Sequence, residues 1–170
     1  MKSTLVALFL ILTGVPAFAA DSATWTPLQF LVGTWQGGGK AEDVQGKGET
    51  TFSWDLDTQV MIRRDHTEYA ATDKHPAFTY EALMVIYKNP SSDQIEANYY
   101  DNGNHVIHYK LMPGARAGNA QFISDGVDQP AFRLTYSQTG SSDMKIDFEM
   151  KPPGDKSAFQ PIASGTVRRK

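Results

Sequence analysis

Four histidines, one dense run of charge and a set of amphipathic rings are the residues of this chain that offer chemistry. His66, His75, His105 and His108 supply imidazoles, largely neutral near pH 7 and able to ligate a metal or to hydrogen-bond a ligand. His105 and His108 stand three apart, which on a strand sends them to opposite faces and removes them as a joint metal pair. One of the two then faces inward, where it could ligate haem iron or hold a ligand. Arg63-Arg64-Asp65-His66 sits on an otherwise strand-like segment. Alternation turns either Arg63 and Asp65 or Arg64 and His66 inward, and an inward arginine needs a carboxylate partner or an acidic ligand head group. Trp54, Tyr80, Tyr87, Tyr99, Tyr100 and Tyr136 are rings with one polar tip, which line pockets well and are also common in strands. The candidate ligand contacts are therefore Trp54, Arg63, His66, Tyr80, Tyr100, His105, His108 and Tyr136.

Other chemistries find little support. The chain has no cysteine, no HExxH and no closed ligand set, so no metal site is expected. It carries no GxSxG, no P-loop and no GxGxxG between a strand and a helix, and no spacing selects a pair of carboxylates. Asp55 and Asp57 flank a tight connection, where turn hydrogen bonding accounts for them. A net charge of −3 lacks the basic field that holds a phosphate backbone, so nucleic acid is not an expected partner.

The elements that must position these residues read as strands. From Gly33 onward Gly and Pro punctuate short runs rich in Val, Ile, Thr, Tyr, Phe and Trp, with no sustained 3.6-residue apolar period. Strands are expected at 34–40, 47–55, 59–69, 80–88, 94–101, 104–112, 120–125, 132–138, 144–150 and 159–168. Ten strands with short connections suit an all-β, antiparallel meander closed into a barrel or folded into a sandwich. Ahead of them, Thr26 as cap, Pro27 at the first helical position and the apolar run to Leu31 predict one or two helical turns ending at Gly33. In the strand Met144-Lys145-Ile146-Asp147-Phe148-Glu149-Met150 the apolar residues face the core and the charges face water. Asn102-Gly103 predicts a two-residue type I′ hairpin. That turn sets Tyr100 opposite His105, with Asn98, Ile107, Glu96 and Tyr109 on one face and Tyr99, Val106, Ala97 and His108 on the other. The stretch from Tyr69 to Phe78 is the longest irregular one, a rim or lid loop.

Residues 1–20 read as a signal peptide: Lys2, an apolar core from Leu5 to Val15, and the small-residue site Ala17-Phe18-Ala19-Ala20. Residues 21–170 then form a single domain, exported to the periplasm or secreted. The apolar core is about half the ~20 residues of a spanning helix, so no membrane anchor is expected.

The most informative stretch is Phe30-Leu31-Val32-Gly33-Thr34-Trp35-Gln36-Gly37-Gly38-Gly39. Gly33 permits a sharp turn, Trp35 can plug one end of a barrel, and Gly37 and Gly39 leave one strand face bare for a bend or a close approach. With Gly33-Thr34-Trp35 the chain resembles the calycin superfamily of lipocalin and fatty-acid-binding barrels, whose first strand carries GxW. With Gly33, Trp35, Gly37 and Gly39 it looks closer still to nitrobindin-type barrels and their GxWxGxG pattern. The resemblance implies a roughly ten-stranded barrel with an apolar interior, and an arginine of the last strand packed on the tryptophan. Arg168 or Arg169 stands at the matching place, Arg168 being the first choice. In nitrobindins it also implies haem held by a histidine near the C-terminus, but Phe159 to Lys170 contain none.

The function expected from this reading is an exported barrel, monomeric or weakly dimeric, carrying a small apolar or amphipathic molecule without changing it. One alternative adds haem through His105 or His108. Another makes the barrel a filled scaffold, packed by Trp54, Met84, Phe132 and Phe148, whose rim docks a cell-envelope protein.

Overall fold

A computed structural model describes residues 25–41, 44–126, 128–154 and 158–170. The expected signal sequence and its cleavage site lie outside the described residues. A 3-10 helix, Thr26–Leu31, leads into ten strands: β1 Gly33–Ala41, β2 Val44–Asp55, β3 Val60–Tyr69, β4 Phe78–Lys88, β5 Ile95–Asp101, β6 Val106–Leu111, β7 Asn119–Ser124, β8 Ala131–Gln138, β9 Asp143–Lys151 and β10 Gln160–Arg169. Each strand pairs antiparallel with its sequence neighbours, and β1 pairs with β10 to close the barrel. Closure settles the choice between barrel and sandwich, and it removes the free edges that an open ten-stranded sheet would carry.

Glycine makes the closure possible. A Cβ at Gly37 would run into the Thr166 carbonyl, one at Gly48 into the His66 carbonyl, and one at Gly39 would sit 2.8 Å from the Ser164 carbonyl oxygen. These strands therefore bend and approach one another where any side chain would block them. Gly33, at φ +125°, turns the chain from helix to strand in a conformation that L side chains rarely adopt.

The helix differs from expectation in one respect. Trp25, not Thr26, is its N-cap, with no side-chain cap bond. The Trp25 ring instead packs edge-on against Trp54, centroids 5.1 Å apart, and Leu28 and Leu31 are fully buried, so packing rather than capping fixes the helix over one barrel end.

The hairpin at 101–105 corrects the expected register. Asp101 N–H donates to the His105 carbonyl at 3.3 Å, and Asn104, not Gly103, takes the positive φ, at +65°. The loop thus holds three residues, as in a type I turn followed by a left-handed residue. Tyr100 pairs with Val106 and Asn98 with His108, a shift of one residue from the two-residue turn. A one-residue slip exchanges faces: Tyr99, Ile107, Ala97 and Tyr109 point in, and Tyr100, Val106, Asn98 and His108 point out.

Burial of the inward residues changes with depth. At the helix-capped end Trp35, Met61, Ile86 and Met144 have no exposed surface. Towards the opposite end the same faces open: Thr67 and Tyr69 on β3, Tyr80 on β4 and Ile146, Phe148 and Met150 on β9 are only partly buried. Burial of the inward face is thus complete at the helix-capped end and partial at the other.

Candidate functional site

The closed end is held by Trp35. Its indole N–H donates to the Leu31 carbonyl at 2.7 Å, and the Arg169 guanidinium lies over its ring, Cζ 4.2 Å from the centroid. Arg169 also donates from Nη2 to the Phe30 carbonyl at 2.8 Å and from Nη1 to that of Val32. Arg168 instead points to solvent and pairs with Asp143 at 2.9 Å. The barrel-closing arginine is therefore Arg169, because Arg169 shares the inward register of Trp35 while Arg168 faces outward beside Gln36.

Above this plug lies an ionic layer. Arg63 and Asp65, inward on β3, form a two-point pair, Nε to Oδ1 at 3.1 Å and Nη2 to Oδ2 at 2.8 Å. Thr50 of β2, directly opposite Asp65, donates its hydroxyl to Oδ1. The guanidinium sits between the rings of Tyr136 and Phe52, 5.5 and 6.0 Å from their centroids. Burial opposes the Arg63 charge, and the Asp65 carboxylate together with the neighbouring Tyr136 and Tyr99 outweighs it, so the guanidinium stays protonated. Burial pushes the phenol of Tyr136 up, and its hydroxyl is buried without a hydrogen-bond partner.

A second cluster lies nearer the less buried end. Tyr80 and Tyr99 contact each other through their hydroxyls and both reach Asp101 Oδ2, at 2.9 and 3.2 Å. Asp101 Oδ1 accepts from the backbone N–H of Gly103 at 2.9 Å and of His105 at 3.0 Å, with His105 Nδ1 3.1 Å away. Burial alone would raise the Asp101 pKa, but the His105 N–H, the Tyr80 hydroxyl and the His105 ring together bring it below its ordinary value. Burial, with the neighbouring phenol, pushes Tyr99 up, and burial also raises Tyr80. Phe132 and Phe148 stack at 5.6 Å, and Tyr69 and Phe78 stack at 4.6 Å on the rim. On the facing wall Gly37, Gly39, Gly48 and Gly165 bring no side chain inward.

Of the eight candidate ligand contacts, Arg63, Tyr80 and Tyr136 come together inside. Trp54 packs on Trp25 at the closed end. His66 faces outward between Glu81, at 2.6 Å, and Glu68, at 3.5 Å. Tyr100 is outward and 41% exposed. His108 is outward on Glu96, 3.1 Å away, and His105 belongs to the hairpin tip with its side chain 68% exposed. The expectation that one of His105 and His108 faces inward is thus overturned, since His105 precedes β6 and the slipped register turns His108 out. The haem alternative consequently has neither imidazole inside the barrel. Thr50, Tyr99, Tyr109 and Asp101 are interior residues that sequence reasoning missed as candidates. For Tyr99 and Tyr109 the signal was the β5–β6 register, which the expected two-residue turn misassigned; Thr50 meets Asp65 across β2 and β3, and Asp101 meets Tyr80 across β4 and β5.

The outer wall carries a groove of about 280 Å³ lined by Arg64, Glu81, Leu83 and Tyr100 among others. No group of His, Cys, Asp or Glu suited to a metal ion occurs among the described residues.

Fold and site together define a closed, antiparallel, ten-stranded β-barrel. No protein-family model matches the chain, and no curated protein matches it. Among solved structures, a redesigned β-barrel, mFAP0, bound to DFHBI superposes with a TM-score of 0.45 at 12% identity, covering 83% of this chain and 100% of that one.

Proposed function

We propose that this protein is an exported carrier barrel that takes a small amphipathic molecule through its open end and leaves it chemically unchanged. The observation that carries the reading is the depth profile: Met144 is fully buried, while Ile146, Phe148 and Met150 on the same inward face keep accessible surface. Inward apolar side chains that water still reaches, above a floor of Arg63, Asp65 and phenols, form a site with an apolar wall and a few placed polar groups. The finer likeness to nitrobindin-type barrels rests on Gly33, Trp35, Gly37 and Gly39, and it does not extend to a haem histidine. Export rests on the signal-like residues 1–20. The test is native mass spectrometry with an absorption spectrum on protein purified from its own host. A co-purifying small mass without a Soret band supports the carrier; a protein that remains free of any added mass and takes up no amphiphile opposes it.

A surface role has one observation in its favour: Tyr100 and Val106, 41% and 70% exposed, are paired neighbours on the outer wall beside the groove at Leu83.

A further inference from the structure

The charge inside the open half does not balance. Among the described residues the inward-facing ionisable groups there are Arg63, Asp65 and Asp101, with the phenols of Tyr69, Tyr80, Tyr99, Tyr109 and Tyr136. Arg63 is taken up by Asp65 through two contacts of 3.1 and 2.8 Å, and the pair cancels. Asp101 remains, its side chain 3% exposed, with the His105 imidazole on its outer side, Nδ1 3.0 Å from Oδ2. The hydrogen-bond count is uneven as well. Tyr80 and Tyr99 bring two protons to three oxygen–oxygen contacts, one between the hydroxyls and one from each to Asp101 Oδ2. Each phenol has a single O–H, so one contact lacks a proton and the cluster has lone pairs to spare. On β8, beside Arg63, the buried Tyr136 hydroxyl has no hydrogen-bond partner. At the same end Tyr69 stacks on Phe78 and Phe132 on Phe148, and aromatic faces attract cations and repel carboxylates.

Resting on the carrier reading above, we infer that the Tyr80–Tyr99–Asp101 cluster is the head-group site of the barrel and selects a cationic or hydrogen-bond-donating amphiphile, such as a long-chain amine or alcohol, over a fatty-acid carboxylate. An ammonium or hydroxyl donor supplies the missing proton and, for the ammonium, offsets the Asp101 charge. A carboxylate brings a second negative charge to a low-dielectric site whose one arginine is already occupied, and like charges there repel strongly.

Three twelve-carbon probes separate the possibilities: dodecylammonium and dodecanoate, each titrated below its micelle concentration, and dodecan-1-ol, titrated below its solubility limit, into the purified protein at pH 7 and followed by native mass spectrometry. Dodecylammonium and dodecan-1-ol are expected to bind one to one, with dodecanoate weaker by about tenfold or more. Asp101→Asn should bring the ammonium-to-carboxylate ratio towards one. Because Asp101 also ties the hairpin tip, Tyr80→Phe is the second variant, expected to weaken the amine and the alcohol and to leave dodecanoate unchanged. Dodecanoate binding as tightly as dodecylammonium overturns the head-group assignment while leaving the carrier reading intact. Binding of none of the three overturns both.

Discussion

Arg169 and Trp35, 134 positions apart in sequence and paired across β1 and β10, meet face to face with Cζ 4.2 Å from the indole centroid. The same guanidinium donates to the carbonyls of Phe30 and Val32, two acceptors left over where the 3-10 helix ends. One side chain thus locks the seam of the barrel, its first strand and its end cap together.

Removing it should be costly. Arg169→Met loses a cation–π contact and two charged hydrogen bonds, and a destabilisation of about 2–4 kcal/mol is expected in denaturant unfolding. Arg168→Met, which breaks only the exposed contact with Asp143, should leave the midpoint nearly unmoved. Equal effects of the two substitutions would contradict the assignment of Arg169 as the closing residue.

The Arg63–Asp65 pair makes a different kind of prediction. Arg63→Met leaves Asp65 buried without its partner, a loss of about 3–5 kcal/mol, whereas the double substitution Arg63→Met with Asp65→Asn should recover most of that stability. A double-mutant cycle by urea unfolding measures the coupling. Strictly additive losses would show that the two groups do not act as a unit.

Backbone crowding sets the third expectation. At Gly37 and Gly48 a methyl group meets a carbonyl of the neighbouring strand, so alanine at either position should cost about 1–3 kcal/mol. At Gly114, where nothing lies within 4 Å, the cost is confined to the positive φ of +89°. Thermal unfolding of the three alanine variants ranks them; Gly114→Ala should be the mildest.

His66 provides the pH test. Its hydrogen bond to Glu81, then that to Glu68, raises its pKa above the ordinary histidine value. Because the folded-state value is raised, the stabilisation is fully present below the unfolded pKa of about 6.5 and is lost as pH rises through the folded value. A histidine titration followed by NMR should place His66 above the normal range, and Glu81→Gln should lower it. A titration unchanged in Glu81→Gln would exclude that contact in solution.

Much of this architecture was legible in the chain. The ten strands declared themselves because turns rich in Gly, Pro and Asn interrupt runs of β-branched and aromatic residues, and the observed boundaries lie within a few residues of those expected. Trp35 and its flanking glycines marked the seam for a physical reason, since only glycine tolerates the carbonyls facing Gly37 and Gly48. Faces were harder. In β9 strict alternation sorted Met144 from Lys145 without help, but in β5 and β6 both faces carry aromatic and polar residues, and sidedness there depended on one turn. Asn104 took the left-handed position in place of Gly103, and that single residue brought Tyr99 and Tyr109 onto one face and Tyr100 and His108 onto the other. Alternation put Arg63 and Asp65 on one face and required a carboxylate or an acidic ligand for an inward arginine, without choosing between the two; the contributions of Thr50 and Asp101 depend on strands distant in sequence.

The most direct test of the carrier reading is to see which side chains a ligand touches. Methyl-labelled protein titrated with dodecan-1-ol and followed by NMR is expected to show shifts at Ile146 and Met150, which line the open half. Met144 at the sealed end and Val106 on the outer wall should stay in place. Shifts confined to Val106 and Leu83, with Ile146 and Met150 unmoved, would contradict the interior site and assign the binding to the outer surface.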